Sequence, residues 1–236
     1  TRCSRDWSSD VCSSDLNGIL VVRHSAALGD PSNVVYQYGT TQGAICIRGD
    51  KLNIRHKLVL NEQRMPGYRY TIASDGGSNE ISGLIQKEGT IRISANGTRL
   101  IISGGIEASS PSVGGDLVMN NGCDVTFVSN RINLGTVNFW ADSGQTTIAV
   151  SNNIWGKTVV ANGPLVLGIT NALPYVAMDL GIASYSPSGA ISLNGYDLNL
   201  PTLTCALVAG TRRIYSTPPA TFLLNQSANT TYWGTF

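Results

Sequence analysis

Two short sequence blocks each occur twice in this chain, in the same order and at nearly the same separation. Residues 18–29 (GILVVRHSAALG) return as residues 163–174 (GPLVLGITNALP), an offset of 163 − 18 = 145. Residues 43–49 (GAICIRG) return as residues 189–195 (GAISLNG), an offset of 189 − 43 = 146. Duplicated strand-rich units usually stack on one another and do not form separate globules. The duplication therefore predicts a stacked architecture.

Short runs of alternating apolar and polar residues fill the chain after position 17. Ile91 and Ile93 share one face of such a run, while Arg92 and Ser94 share the other. The same spacing recurs in Val125-Thr-Phe127, Leu165-Val-Leu167, Ile191-Ser-Leu193 and Leu198-Asn-Leu200. Since this alternation is typical of strands and no useful stretch has helical periodicity, the sequence predicts an all-β chain.

Five Asn-Gly steps predict corners with positive φ, because these two residues tolerate that conformation best. They are Asn17-Gly18, Asn96-Gly97, Asn121-Gly122, Asn162-Gly163 and Asn194-Gly195. Asn-Gly steps are also typical of hairpins, so an antiparallel β-sandwich is an alternative. A sandwich gives no reason for two blocks to recur at one long offset, whereas coils that bury side chains against neighbouring coils do. We therefore predict a right-handed parallel β-helix of roughly ten coils, about 50 Å long, with about 22 residues per coil.

The predicted solenoid occupies residues 17–236 and contains two long repeat units, at about 17–162 and 163–236, of which the second is truncated. We expect a fragment without its native caps, whose open ends favour end-to-end self-association. Residues 5–16 (RDWSSDVCSSDL) resemble a translated sequencing adapter, so residues 1–16 are predicted to be an artefactual or disordered leader. The alternative is a capped helix that begins at Ser8 or Ser9 and covers the end of the solenoid.

Composition argues against several classes of protein. Charged residues make up 13% of the chain, about half the share usual in soluble domains, and 16 basic residues balance 15 acidic ones. Without a basic stripe, nucleic acid is a poor candidate partner. The longest apolar runs, such as residues 163–169, fall well short of the ~20 residues that span a bilayer, so we predict no membrane span in this segment.

Few residues are candidates for chemistry. Cys46, Cys123 and Cys205 lie far apart and form no Cys-x-x-Cys pair, and with Cys3 and Cys12 set aside they indicate neither a disulfide framework nor a metal site. Cys46 aligns with Ser192 in the second copy, which indicates a small residue on a strand. His24 aligns with Ile169 and is predicted to lie at the surface or a strand edge. His56, between Arg55 and Lys57, is predicted to lie in a solvated basic turn.

Carboxylates are the remaining candidates for catalysis. Asp116, Asp124 and Asp142 are spaced so that one pair could meet on one face, as polysaccharide hydrolysis requires. Asp75-Gly-Gly77 resembles part of a calcium-binding β-roll, but a single copy cannot build the shared ligands. We therefore predict no catalytic residue, no metal and no cofactor. The alternative is a polysaccharide-active β-helix enzyme, a lyase or glycosidase, with two carboxylates, or a carboxylate beside Arg or Lys, in a cleft.

A further element recurs at residues 79–83 (NEISG), 152–156 (NNIWG) and 230–234 (TTYWG). We predict that Trp155 and Trp233 pack at coil corners, with a sugar-stacking platform as the alternative. Three Asn sites, at Asn96, Asn225 and Asn229, match the glycosylation sequon, but in an Asn- and Thr-rich chain we expect stacked amide ladders instead.

Residues 152–174 (NNIWGKTVVANGPLVLGITNALP) closely resemble the autotransporter-associated β-strand repeat, which is found in passenger regions of bacterial surface proteins. Residues 18–29 form a partial second copy, and residues 224–234 resemble the opening of another. The likeness covers most of 17–236, most strongly 144–203 and more loosely 30–135, where coil boundaries are not fixed and residues 61–70 depart from it. The resemblance implies a rod outside the cell or on the bacterial outer membrane, with a β-barrel translocator further along the protein.

From these observations we predict a non-enzymatic extracellular scaffold or adhesin-like passenger. The expected partners are glycans or other cell-surface molecules, which would contact the polar, weakly charged flank of the rod. A polysaccharide-active enzyme and a β-sandwich binding module are the alternatives.

Overall fold

A computed structural model describes residues 19–37, 44–61, 70–120, 122–181, 188–205, 211–226 and 235–236. In this part of the chain the regular elements are 24 short strands. No helix in it is long and apolar enough to cross a membrane.

The strands form three long sheets and one short pair. Sheet 1 contains, in spatial order, β1 (Ile19–Val22), β3 (Ala44–Arg48), β6 (Ile72–Asp75), β9 (Ile91–Ala95), β12 (Leu117–Asn120), β15 (Phe139–Ser143), β17 (Thr158–Val160), β19 (Met178–Leu180) and β22 (Leu203–Cys205). Sheet 2 contains β4 (Asn53–Ile54), β7 (Ser78–Ile81), β10 (Arg99–Ile102), β13 (Asp124–Val128), β16 (Thr146–Ala149), β18 (Pro164–Leu167), β20 (Gly189–Ser192) and β23 (Arg212–Tyr215). Sheet 3 contains β2 (Val34–Gln37), β5 (Lys57–Leu60), β8 (Ile85–Lys87), β11 (Ile106–Ala108) and β14 (Ile132–Asn133), and sheet 4 pairs β21 (Leu198–Leu200) with β24 (Phe222–Leu224).

Over most of its length the chain visits the three sides in turn, and each strand inside a sheet pairs with the strands one turn before and after it. All the pairings among the described strands are parallel, as in β3 with β6 and β10 with β13. This confirms the predicted parallel β-helix. The sandwich alternative is wrong, since it requires antiparallel neighbours.

The solenoid is shorter than the sequence-based estimate. The nine strands of sheet 1 define eight turns, which at about 4.8 Å per turn extend about 38 Å instead of about 50 Å. The difference in residue number between paired positions gives the length of each turn. It varies from 160 − 141 = 19, between Ala141 and Val160, to 72 − 45 = 27, between Ile45 and Ile72. The estimate of ten coils assumed a uniform length and counted residues outside these turns.

Apolar side chains stack in columns along the axis. One column of sheet 1 runs through Ile45, Ile72, Ile93, Met119, Ala141, Val160 and Leu180, and one of sheet 2 through Ile54, Ile81, Ile102, Phe127, Ile148 and Leu167. All of these side chains are buried. Burying a large aliphatic side chain contributes about 1.5–3 kcal/mol, so the columns supply the main stabilisation of each turn against the next.

Aromatic side chains replace aliphatic ones in the middle of the solenoid. Phe127 meets Phe139 edge to face, with ring centroids 6.2 Å apart, and Phe139 stacks on Trp155 at 5.0 Å. The Trp155 indole Nε1 donates a hydrogen bond of 2.7 Å to the Thr158 hydroxyl. Trp155 is therefore a corner packing residue, as predicted, while Trp233 lies outside the described residues.

The duplicated blocks keep their register but occupy different sides of the solenoid. Ile19 pairs with Ala44 in sheet 1, and their counterparts Pro164 and Ala190 pair in sheet 2. Each copy thus stacks its second strand on its first in the same way. Division of the chain into the two long units at 17–162 and 163–236 stays a prediction.

The Asn-Gly steps work differently from the prediction at most of the described positions. Among these positions, only Asn194-Gly195 has positive φ at both residues, at 51° and 84°. Gly163 has ordinary φ, but a Cβ there would lie 2.0 Å from the carbonyl oxygen of Gly144 in the preceding turn. Close approach between turns, and not backbone conformation, requires this glycine.

A second close approach forms a corner column. A Cβ on Gly83 would lie 1.9 Å from the carbonyl oxygen of His56, and a Cβ on Gly104 would lie 2.0 Å from that of Gly83.

Replacing Gly104 with Ala should therefore destabilise the fold by about 1–3 kcal/mol, because the turns cannot separate without breaking their ladders. Gly114→Ala is the control, since a Cβ there meets nothing within 4 Å, and we expect a change within about 0.5 kcal/mol. Urea unfolding of both variants measures the difference, and equal stabilities would contradict this account of the corner.

Candidate functional site

The third side of the solenoid is interrupted near one end. Sheet 3 ends at β14, which is extended by a single bridge between Asn133 and Ile154. Strand β21 occupies the same place in the coil two turns after Ile154. In the turn between them, residues 168–177 form no strand on this side.

A groove of about 320 Å³ lies at this interruption. Its floor contains the buried side chains of Ala172, Leu173 and Leu198. Its remaining lining residues are Asn152, Asn153, Asn171, Pro174, Tyr175, Asp197 and Asn199. The volume is at the small end of the range usual for ligand sites.

Asn153 fixes the lower wall of the groove through three buried hydrogen bonds. Its Oδ1 accepts the N–H of Ile132 at 2.7 Å, and its Nδ2 donates to the carbonyl oxygens of Val150 and Ala172, each at 2.7 Å. Three successive turns are thereby joined at one side chain. Asn79 makes a related set of bonds, accepting from Leu52 and donating to Gly76. The structural counterpart of Asn79 is therefore Asn153, and not Asn152 as the sequence alignment of residues 79–83 and 152–156 suggests.

The rim of the groove is polar and exposed. Asn152 and Asn171 have φ of 59° and 57°, a conformation that Asn adopts more readily than most residues. Both side chains are exposed, and the Tyr175 side chain is 56% exposed. The rim therefore presents amides and one aromatic ring to solvent.

Two rim residues are also tied to the following turn. Asp197 Oδ1 accepts the N–H of Thr221 at 2.7 Å. Asn199 Oδ1 accepts a hydrogen bond of 3.3 Å from Asn225 Nδ2. The second contact is one rung of the predicted amide ladder, and it involves one of the three sequon asparagines. Of the other two, Asn96 donates a 3.5 Å hydrogen bond to Asp75 Oδ1, and Asn229 lies outside the described residues.

The groove does not contain the arrangement expected of a polysaccharide-active enzyme. Among the described residues that line it there is one carboxylate, Asp197, and neither Arg nor Lys. Hydrolysis by paired carboxylates needs a second carboxyl group about 5–10 Å away.

The three carboxylates singled out in the sequence are divided between two sheets. Asp142 lies on β15 of sheet 1 and Asp116 directly precedes β12 of the same sheet, whereas Asp124 lies exposed on β13 of sheet 2. Asp116 accepts from the Asn138 N–H at 2.9 Å and the Trp140 Nε1 at 2.7 Å. Asp142 accepts from Asn120 Nδ2 at 3.2 Å. The contacts of Asp116 and Asp142 join successive turns of the solenoid.

Ion pairs on the outside of sheet 1 likewise join turns. Arg48 bonds to Asp75 at 3.1 Å, and Lys157 bonds to Asp179 at 3.1 Å.

Burial, together with the neighbouring Asp75 carboxylate, raises the pKa of the Cys46 thiol, which keeps it protonated and unreactive. Cys46 lies on β3, as predicted for a small strand residue. Cys46 and Cys123 are free thiols.

The two histidines differ in environment. His24 is exposed and follows β1, as predicted. The prediction for His56 is wrong, because its side chain is fully buried, and neither ring nitrogen has a hydrogen-bond partner among the described residues. The His56 carbonyl oxygen lies beneath Gly83 at a tight corner, and Arg55 before it is exposed.

Lys87 is a buried cation that the sequence does not reveal. It lies in the column of Leu60 and Ala108, where an apolar residue is expected, and it is fully buried. Its Nζ donates to the carbonyl oxygen of Gly114 at 2.9 Å. Burial lowers the pKa of Lys87 from 10.5 to about 8, although Asp116 partly opposes this shift.

Within the described ranges, no three His, Cys, Asp or Glu side chains lie close enough together to hold a metal ion. Comparison with protein-family models, with curated proteins and with solved structures finds no match for the chain.

Replacing Asn153 with Leu should lower the free energy of unfolding by at least about 2 kcal/mol, because three buried backbone groups lose their partner. Asn152→Gly is the control, since Gly keeps the positive φ and the exposed amide makes no buried bond; we expect a change within about 0.5 kcal/mol. Amide hydrogen exchange should show faster exchange at Ile132 in the Leu variant alone. Unchanged protection of that amide would contradict the role assigned to Asn153.

Replacing Lys87 with Met should remove a pH dependence of stability. The folded chain loses the Lys87 proton near pH 8 and the unfolded chain near pH 10.5, so this group makes stability rise with pH between those values. Below pH 8 the Met variant should be more stable than the parent by up to about 3 kcal/mol, and the gain should fade towards pH 10.5. Urea unfolding at pH 7, 8.5 and 10 measures both chains. A difference that does not change with pH would show that Lys87 is not desolvated.

Proposed function

We propose that this chain is part of a non-enzymatic, extended scaffold or adhesin-like passenger of an autotransporter-type surface protein. The observation that carries the proposal is the set of inward columns, which run from turn to turn through the described solenoid. Such a structure is rigid along its axis and exposes a long flank, as a stalk or display surface requires.

The polar outer residues support the same role. Arg48 with Asp75, Lys157 with Asp179, and Asp116 with Trp140 each join neighbouring turns. Individually such exposed contacts contribute little, but they favour correct register between turns. Because these charged groups already bond to residues of a neighbouring turn, they are less available to act on a substrate.

The sequence resemblance of residues 152–174 to autotransporter-associated repeats supports an extracellular or outer-membrane location. The low charge of the chain suits weak, repeated contacts with glycans or neighbouring cells. End-to-end association of such rods is part of the proposal, because ladder edges at the ends of a solenoid favour pairing with another chain.

The proposal is tested by placing the full chain within an autotransporter, upstream of its translocator barrel, in a Gram-negative host. Intact cells should display the chain in a form that resists mild proteolysis. The control, Phe127→Asp, buries a charge in the aromatic column and should be displayed as a protease-sensitive chain. Retention of the folded parent chain in the periplasm would contradict the proposal. Release of reducing ends or unsaturated sugars from polysaccharides by the purified chain would favour the enzyme alternative.

A further inference from the structure

We infer that the groove bounded by Asn152, Asn171, Tyr175, Asp197 and Asn199 binds a short neutral oligosaccharide. The inference rests on the proposed surface role for its biological setting. Its physical basis is the groove itself, where an exposed ring and several amides converge at the break in the third side.

The rim offers hydrogen-bonding groups that the chain does not use. Among the described residues, the side-chain amides of Asn152 and Asn171 have no partner within the chain. Each amide carries two donors and an acceptor, which matches sugar hydroxyls that both donate and accept. Asp197 Oδ1 accepts a hydrogen bond from the Thr221 N–H, so its Oδ2 can bind a ligand. Asn199 Oδ1 accepts from Asn225, so its Nδ2 can donate to a ligand.

Tyr175 supplies an apolar surface beside these polar groups. Its side chain is 56% exposed, although an aromatic ring gains from burial. A sugar ring has an apolar face of C–H groups and an edge of hydroxyls. Stacking that face on Tyr175 leaves the hydroxyl edge within the groove to meet the amides.

The positions of these residues limit the size of the ligand. Asn152, Asn171 and Asn199 belong to three successive turns, about 4.8 Å apart along the axis. The groove therefore extends about 10 Å in this direction. With a volume of about 320 Å³, it suits one or two sugar units and not a long chain.

Charge selects among saccharides. The described lining contains one carboxylate and no cation, so sulfated, sialylated or uronate-containing sugars would meet Asp197 without a compensating charge. Neutral hexoses and N-acetylhexosamines meet no such penalty. The same argument excludes phosphate groups and nucleic acid as occupants.

An extended peptide is less well matched to this groove. Strand β21 has an open edge here, but it is three residues long and bonds to β24 through Leu198 and Leu200. In a parallel ladder, successive residues direct their main-chain groups to opposite sides of the strand. Because Leu198 and Leu200 bond to β24, only Asn199 of this strand directs its N–H and C=O towards the groove. Strand addition depends on a series of main-chain bonds, which one residue cannot provide.

Binding of the purified full chain to an array of immobilised saccharides tests the inference. The array should contain neutral oligosaccharides of glucose, galactose, mannose and N-acetylhexosamines, together with uronate and sialylated sugars and extended peptides. We expect retention on a subset of the neutral sugars. Tyr175→Ala should weaken that binding about tenfold or more, while Tyr175→Phe, which keeps the ring, should retain most of it.

Tyr36→Ala is the matched control, because Tyr36 is similarly exposed, at 51%, on the third side far from the groove. It should bind as the parent does, and thermal unfolding should confirm that all variants fold. Failure of the folded parent to bind any neutral sugar would overturn the inference, as would equal binding by Tyr175→Ala. Preference for acidic sugars or peptides would also overturn it. None of these results would affect surface display, so the scaffold role is tested separately.

Discussion

In-register stacking of one turn on the next is the constraint on which the whole structure depends. Each strand of the three long sheets satisfies its main-chain groups only through the turns beside it, and its inward side chains are buried only by theirs. A single turn has no core of its own. The stability of each turn therefore depends on the turns packed against it. Any residue that changes the spacing between turns affects the packing on all three sides.

This constraint explains which polar groups the interior accepts. Asn79 and Asn153 are buried because each bonds to main-chain groups of its own turn and of a neighbouring one. Lys87 is accepted because its amine donates a hydrogen bond to the carbonyl oxygen of Gly114. His56 is the exception, since neither of its ring nitrogens has such a partner in the described part of the chain. Asn153 lies between strands, at a corner where the ladders leave main-chain atoms to satisfy.

The groove arises where this regularity fails. Between Ile154 and β21 one turn contributes no strand to the third side, so the outer surface is recessed there. Leu173 still fills the inward column of that side. Loops on a rigid scaffold are the usual place for binding residues, because they vary without disturbing the core. The proposed saccharide site follows this rule, with Asn153 holding the loop and Tyr175 exposed upon it.

The sequence by itself determined the class of fold and the strand periodicity. Alternation of apolar residues is a property of a single segment, and the recurrence of residues 18–29 and 43–49 indicates stacking. Both patterns are therefore visible in the sequence alone. The side on which a strand lies, the inward turn of His56 and Lys87, and the meeting of Tyr175 with Asp197 were decided only by the tertiary structure. Unequal turn lengths set these relations, because each added or missing residue at a corner shifts which side chains share a face. The groove depends on three such turns together, and no single segment encodes it.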